Sequence, residues 1–292
     1  MYTQFFGNFL LSKGYITNEQ LFDALKEKAQ KHAKLGTLAI HSGLMTAAEV
    51  DSVIVEQTHQ DKKFGELTIE MGYLTDEQVK ELLSIQSPDF LLLGQILLDK
   101  GIIDNTTLEK SIHDYRNENA ISDLDMVLED KDSINHLIGH FFANTCIDPS
   151  AIDIMYLELL FNSFIRFVGD DYTPLSAEIC YSFSADCMVR QDIKGSYAIS
   201  TYIGMSQTTA INFASRYVNE SFSVYDEYVQ ASLDDFLNLN NGLFLVNCSN
   251  DQALELTLTA PEHFDGQTRS FNKACKLKLL YPFGAIHFII EF

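Results

Sequence analysis

Asp235, Asn238 and Gly242 stand three and then four residues apart within the segment Asp226–Phe244. At 100° per residue, counted from Leu233, they fall at about 200°, 140° and 180°. Val229, Phe236, Leu237, Asn240 and Phe244 fall within about 60° of Leu233. The spacing predicts one helix that buries the apolar set and turns an acid, an amide and a glycine outward in a row. An amide accepts a hydrogen bond from water without carrying charge toward an anion, and a carboxylate one turn away can meet a cation. Asparagine is a poor helix former, so Asn238, Asn240 and Asn241 in one short stretch oppose the periodic pattern. Conflicts of that kind sometimes mark functional positions.

Other constellations are less specific. His136 and His140 share a helical spacing, but no Glu completes an HExxH pattern, so they read as a packed or exposed pair. The acidic run Asp123–Asp132 lacks the alternating oxygens and central glycine of a calcium loop and reads as a hydrated linker. The five cysteines lie in the second half without a CxxC pair, which indicates neither a disulfide framework nor a zinc site. No Gly-x-Ser-x-Gly elbow and no Gly-rich loop with Lys is present, which argues against serine hydrolases and nucleotide hydrolases. No intrinsic metal site is expected.

The elements around the acid and amide read as mixed α and β. Ile152–Val168 carries apolar residues at helical spacing and stops at Gly169-Asp170-Asp171; Thr208–Val218 is a second helix. Ser196–Met205 and Ala253–Thr259 alternate as strands, and Cys275–Leu280 and Gly284–Phe292 read as two more around a Pro282-Phe283-Gly284 turn. The expectation is an α+β domain, a sheet covered by long helices.

Asp235-x-x-Asn238-x-x-x-Gly242, followed by a loop and Leu256-Thr-Leu-Thr-Ala-Pro261, resembles the Glu-x-x-Asn-x-x-x-Gly motif and following strand of the CheC/CheX phosphatases. The preceding Gly195–Met205 strand and Thr208–Tyr217 helix fit the same family. The resemblance covers roughly 150 residues and implies dephosphorylation of the aspartyl phosphate of a CheY-type response regulator. Asn238 would then orient the attacking water, and the acid would meet a lysine of the regulator, whose own site supplies Mg²⁺. The acid here is Asp235 where the family has Glu, one methylene longer. A second copy of the motif on the first helix is incomplete, since Glu158 is followed at the amide position by Phe161. At most one site remains.

The first 116 residues are of another kind. Gly7, Gly36, Gly65 and Gly94 recur every 29 residues, as do Gly14, Gly43, Gly72 and Gly101, which predicts four repeats of two short helices stacked into one all-α domain. The second glycine of each unit should end a helix at positive φ. Thr17, Thr46, Thr75 and Asp104 should cap the next helix, with capping boxes completed by Gln20, Glu49 and Gln78. Leu21/Leu25, Val50/Ile54, Val79/Leu83 and Leu108/Ile112 are the expected inward stripe. The first glycine should permit close helix approach.

The unit resembles the MshEN-type repeat of type II secretion and pilus ATPases. In that family an Arg and a Gln of paired motifs bind cyclic di-GMP. The Arg position is occupied here by Phe5, Lys34, Lys63 and Leu92, and the Gln position by Lys28, Gln57, Gln86 and Tyr115. The resemblance therefore implies a nucleotide site at Lys34, Gly36 and Gln57 with Lys63, Gly65 and Gln86, although lysine lacks the planar fork of arginine. The alternative for the same scaffold is a protein-interaction or dimerisation module.

Composition bounds these readings. The chain has 292 residues, 46% of them apolar, enough for two domains. Lys and Arg number 20 against 41 Asp and Glu, a net charge of −21, which argues against nucleic acid as a partner. Residues 1–116 carry 11 basic and 17 acidic side chains, and 117–292 carry 9 and 24. The first stretch has one arginine, Arg116, and one proline, Pro88, and the shift marks a boundary near 116–122. The expected domains are 1–116, the repeats, and 117–292, the CheC/CheX-like domain with a short linker. No run approaches the roughly 20 apolar residues of a membrane span, and Met1–Leu10 lacks the features of a leader, so a cytoplasmic protein is expected. The function implied is two-component or chemotaxis signalling as a CheX-like phosphatase. The alternative is a non-catalytic regulator-binding or cyclic di-GMP-responsive adaptor. Edge strands make a homodimer plausible.

Overall fold

The periodic glycines shape the first part of the chain in the computed structural model. Gly14, Gly43, Gly72 and Gly101 have φ of +72°, +65°, +77° and +65°. The left-handed turn lets the glycine N–H and the following N–H reach back to carbonyls of the last helical turn, as in Gly14 to Leu11 (2.9 Å) and Tyr15 to Leu10 (3.0 Å). Each 29-residue unit is two helices: α1 (Tyr2–Ser12) and α2 (Asn18–Glu27), α3 (Leu35–His41) and α4 (Ala47–Gln57), α5 (Phe64–Glu70) and α6 (Asp76–Ser84), α7 (Asp89–Asp99) and α8 (Asn105–Glu118). Reciprocal capping bonds join Thr17 to Gln20, Thr46 to Glu49 and Thr75 to Gln78. Asp104 accepts from the Thr107 N–H at 2.7 Å.

The first glycines do allow close approach. A Cβ added at Gly36, Gly65 or Gly94 would come within 3.0, 3.1 or 2.8 Å of Val50, Val79 or Leu108, the residue 14 positions on in each case. The inward stripe needs correction. Leu21, Leu25, Val50, Val79, Leu108 and Ile112 are buried, but Ile54 is 45% and Leu83 67% exposed. The position one earlier is buried in all four units, at Ala24, Val53, Leu82 and Ser111, and in the two middle units the stripe rests on it without the following residue. Phe6, Phe9, Phe90 and Tyr115 interlock with ring centroids near 5.3 Å and tie the first repeat to the last.

The described residues are 2–27, 33–60, 62–84, 89–119, 137–139, 141–142 and 149–291. The acidic run Asp123–Asp132, His136, His140, Cys146, Lys28 and Gln86 lie outside them. Two compact units result, Phe5–Leu124 and Asp125–Phe292 with Met1–Gln4.

The second unit is α+β. Helix α9 (Ala151–Phe167) precedes strands β1 (Thr173–Ser184), β2 (Cys187–Gly195) and β3 (Ile199–Met205). Helices α10 (Gln207–Tyr217) and α11 (Glu227–Gln252) follow, then β4 (Leu256–Leu258), β5 (Glu262–His263), β6 (Thr268–Tyr281) and β7 (Gly284–Glu291). The strands form one antiparallel sheet in the order β1-β6-β7-β3-β2-β4, with β5 also paired to β2. Helices α9, α10 and α11 contribute to the core on one face through Phe164, Phe213 and Phe236. Because side chains alternate along a strand, Met188, Tyr202, Phe271 and Ile289 form a smaller apolar cluster on the other face.

Several expected boundaries move. Ala253 caps α11 in the left-handed region at φ +52° and is no part of a strand, so β4 begins at Leu256. The first strand of the final hairpin starts at Thr268, well before Cys275. Strands β1 and β2 were not anticipated. On β2 the polar Gln191, fully buried, occupies an inward position between Val189 and Ile193 and breaks the apolar alternation that signals a strand. Among the described residues no helix is long and apolar enough to cross a membrane.

Candidate functional site

Helix α11 is fixed at both ends and along its inner face. Asp226 caps it by accepting from the N–H groups of Tyr228 and Val229, each at 3.1 Å. Val229, Leu233, Phe236, Leu237 and Phe244 are fully buried, as the periodicity predicts, and so are Asn240 and Asn241. With 26 residues the rod is roughly 39 Å long at 1.5 Å per residue. Asp235 and Asn238 are both exposed, one turn apart on its outer side. Gly242 is half-buried on the same row, and an added Cβ would meet nothing within 4 Å.

Each of the two side chains has a fixed partner. The Tyr217 hydroxyl, at the end of α10, donates to Asp235 Oδ2 at 2.6 Å. Tyr217 is itself wedged between Phe167, Phe213 and Phe236. Burial, then the Asp235 hydrogen bond and charge, push its hydroxyl pKa up, so it remains a donor. Asn238 Oδ1 accepts from Gln191 Nε2 of β2 at 2.8 Å. On the neighbouring position of α11, Asp234 meets His263 of β5 at 3.0 Å. An acid and an uncharged amide thus project side by side from a rigid element, ordered by contacts reaching in from behind.

Sequence reasoning brought Asp235, Asn238 and Gly242 together correctly on one row. It missed Tyr217 and Gln191, which lie 18 and 47 residues away in sequence. The available signal for Gln191 was its polar side chain midway between Val189 and Ile193. Glu158 lies on α9, and Phe161, at the amide position of the incomplete second motif, is fully buried.

The nucleotide positions expected in the repeats are only partly gathered. Lys34, Gly36 and Gln57 line a groove of about 820 Å³ together with Ile54, Leu83 and Asp99; Lys63 and Gly65 are not among its lining residues. Lys34 Nζ is paired with Asp99 at 2.7 Å. Gln57 Nε2 donates to the Lys62 carbonyl at 3.1 Å. Lys63 sits at the start of α5, where its N–H donates to Glu66 at 3.1 Å. Gly65 faces Val79 and Leu35. Gln86 is outside the described residues. Among those residues, no group of three or more His, Cys, Asp or Glu converges as a metal site.

No protein-family model matches the sequence, and no curated protein does. Solved structures do resemble it. A CheC-like superfamily protein from Shewanella sp. PV-4 is 15% identical and covers 49% of this chain and 97% of its own, with a TM-score of 0.43. The chemotaxis protein CheX from Desulfovibrio desulfuricans is 13% identical, covers 48% and 98%, and has a TM-score of 0.42. A chain of the CheX–CheY–BeF3–Mg²⁺ complex from Borrelia burgdorferi is 18% identical, covers 47% and 94%, and has a TM-score of 0.37.

Proposed function

We propose that the C-terminal unit engages the phosphorylated receiver of a CheY-type response regulator in cytoplasmic chemotaxis or two-component signalling and accelerates loss of its aspartyl phosphate. The class of reaction comes from the resemblance of Asp235-x-x-Asn238-x-x-x-Gly242 to the CheC/CheX motif. The observation that carries the reading is that Asp235 and Asn238 are both exposed, one turn apart, on one helix whose opposite face is buried.

That arrangement suits the chemistry. The reaction joins a water oxygen to phosphorus, breaks the bond from phosphorus to the receiver's aspartyl oxygen, and leaves a carboxylate and inorganic phosphate that carries both of the water's protons, one of them in exchange with solvent. The receiver's Mg²⁺ neutralises the phosphoryl oxygens, so the phosphatase needs to supply position and not covalent help. Asn238 Oδ1 accepts from the attacking water and brings no negative charge near the phosphoryl group. Asp235 keeps one carboxylate oxygen free of Tyr217 to meet a receiver cation. The net charge of −15 on residues 117–292 favours a lysine-bearing face.

The test is the lifetime of acetyl-phosphate-loaded CheY-type receivers from the same genome. Wild-type protein shortens it, and Asn238→Ala abolishes about a hundredfold of that acceleration. Equal acceleration by both proteins removes the assigned role.

A second reading is a non-catalytic adaptor whose repeats answer cyclic di-GMP. The observation favouring it is that Lys34, Gly36 and Gln57 share one groove, while the Lys34–Asp99 pair, which already neutralises the cation, weighs against it. Thermal-shift titration with cyclic di-GMP decides it, since a ligand at 100 times its Kd stabilises by about 2.7 kcal/mol. Homodimerisation through the β1 edge of the sheet belongs to the same proposal and is read by light scattering of the full chain.

A further inference from the structure

A chain of side-chain hydrogen bonds runs from the interior of the C-terminal unit out to Asn238. Tyr156, Gln191, Thr201, Asn240 and Asn241 are all completely buried. The direction of the chain follows from one atom that can only accept. The Thr259 carbonyl lies 3.0 Å from the Gln191 carboxamide, so the nitrogen of that amide must face it. The second proton of the same nitrogen points at Asn238, 2.8 Å away, so Asn238 turns its oxygen inward.

The interior half of the chain agrees. Gln191 Oε1 is left as an acceptor and receives Asn241 Nδ2 at 2.9 Å; that nitrogen also donates to Thr201 Oγ1 at 2.9 Å. Thr201 in turn donates to the Gln191 carbonyl at 2.9 Å. Asn241 Oδ1 accepts from the Tyr156 hydroxyl at 2.7 Å, and Asn240 Nδ2 donates to that hydroxyl at 3.2 Å. Reversing the Gln191 amide would set two oxygens against each other at Thr259 and two nitrogens against each other at Asn241. One orientation satisfies every donor and acceptor of the Gln191 and Asn241 carboxamides, while Asn240 Oδ1 is buried with no hydrogen-bond partner among the described residues.

A buried polar network is costly unless satisfied, and a third apolar side chain between Val189 and Ile193 would pack without it. We propose that Gln191 is a positioning residue for the water-directing amide: held by Thr259 and Asn241, it fixes the carboxamide plane of the exposed Asn238. One lone pair of Oδ1 is occupied from within and the other is presented outward. An exposed asparagine would otherwise sample several rotamers and both amide faces, and each unproductive orientation lowers the fraction of encounters in which water is aligned. The buried Asn240 and Asn241 on α11 thereby gain a reason, since Asn241 sets the Gln191 amide and Tyr156 sets Asn241. The assignment rests on the phosphatase reading for its consequence in catalysis, but not for its geometry.

Two measurements on the full chain test it. In the first, Gln191→Glu and Gln191→Leu are assayed on acetyl-phosphate-loaded CheY-type receivers with Mg²⁺. Each lowers kcat about tenfold, the loss of roughly one directed hydrogen bond, while KM for the receiver stays the same. Neither adds to the loss already caused by Asn238→Ala. A rise in KM with kcat kept, or a fully additive loss in the double variant, overturns the role.

In the second, the ¹⁵N–¹H heteronuclear NOE of the Asn238 side-chain amide is read by NMR. It is high in the wild type, like that of a buried amide, and falls to the range of other exposed asparagines in Gln191→Glu. A low wild-type value, or one unchanged by the substitution, overturns the proposal without any enzymatic assay. Should the wild type leave receiver phosphate lifetimes unaltered, the phosphatase reading falls on its own, and the NOE still decides whether Gln191 holds the amide.

Discussion

Tyr217 reaches from the end of α10 to Asp235 on α11 and donates its hydroxyl proton to the carboxylate across 2.6 Å. The aspartate is one methylene shorter than the glutamate of the motif it resembles, and an aromatic clamp behind the tyrosine fixes where its charge sits. Tyr217→Phe removes the bond and keeps the ring packing. The receiver Kd is expected to rise about fivefold, near 1 kcal/mol for a partly exposed hydrogen bond to a charged group, as titration calorimetry with a BeF3-loaded receiver would read. An unchanged Kd would mean that Asp235 needs no such support.

His287 on β7 should make stability depend on pH. Burial first, then the charges of Lys276 and Lys278, lower its pKa to about 4, against a smaller opposing effect of Glu178. The ring also lies 5.0 Å from Phe183, and its Nδ1 is buried without a hydrogen-bond partner among the described residues. Below the ordinary value of 6.5 the unfolded chain takes up a proton that the folded one refuses. Stability is therefore complete above about pH 6.5 and declines toward pH 4. Urea unfolding across that window should show a loss on the order of 3 kcal/mol, flattened in His287→Gln. A variant with the wild-type slope would assign the pH dependence to other groups.

The middle repeats supply a test of the corrected core. Val53→Ala and Leu82→Ala should each destabilise by about 2–4 kcal/mol, as truncations at sites with 0% and 1% exposure. Ile54→Ala and Leu83→Ala, at 45% and 67% exposure, should stay within about 0.5 kcal/mol. Denaturant midpoints of the four variants check the ranking.

What the residue pattern revealed depended on how local its causes are. The 29-residue period, the glycine turns and the capping boxes are set within a few residues, and they stand in the structure as expected. The outward row on α11 follows from one angular period. Ile54 and Leu83 were misassigned because i+3 and i+4 are equally good stripe positions, and only packing between repeats chooses. Strand β2 escaped because a buried Gln191 looks polar in a one-dimensional pattern. Tyr217 and Gln191 reach the site through long-range pairing, which spacing along the chain does not encode.

Ala253 ends α11 at φ +52° without being glycine. The left-handed region is strained for a residue with a Cβ. Ala253→Gly should raise stability by about 0.5–1 kcal/mol at the exposed end of the helix. Thermal melting of the full chain checks the direction, and a lower melting temperature would count against the strain.

The four turn glycines of the repeats share more than a backbone angle: none has an atom within 4 Å of where a Cβ would stand. An alanine at Gly14, Gly43, Gly72 or Gly101 would therefore carry the same torsional penalty at four addresses, with no clash to confuse the reading. Any difference among the four responses would measure how tightly each storey of the helical stack is coupled to its neighbours. The chain carries its own set of matched strain gauges, spaced one repeat apart.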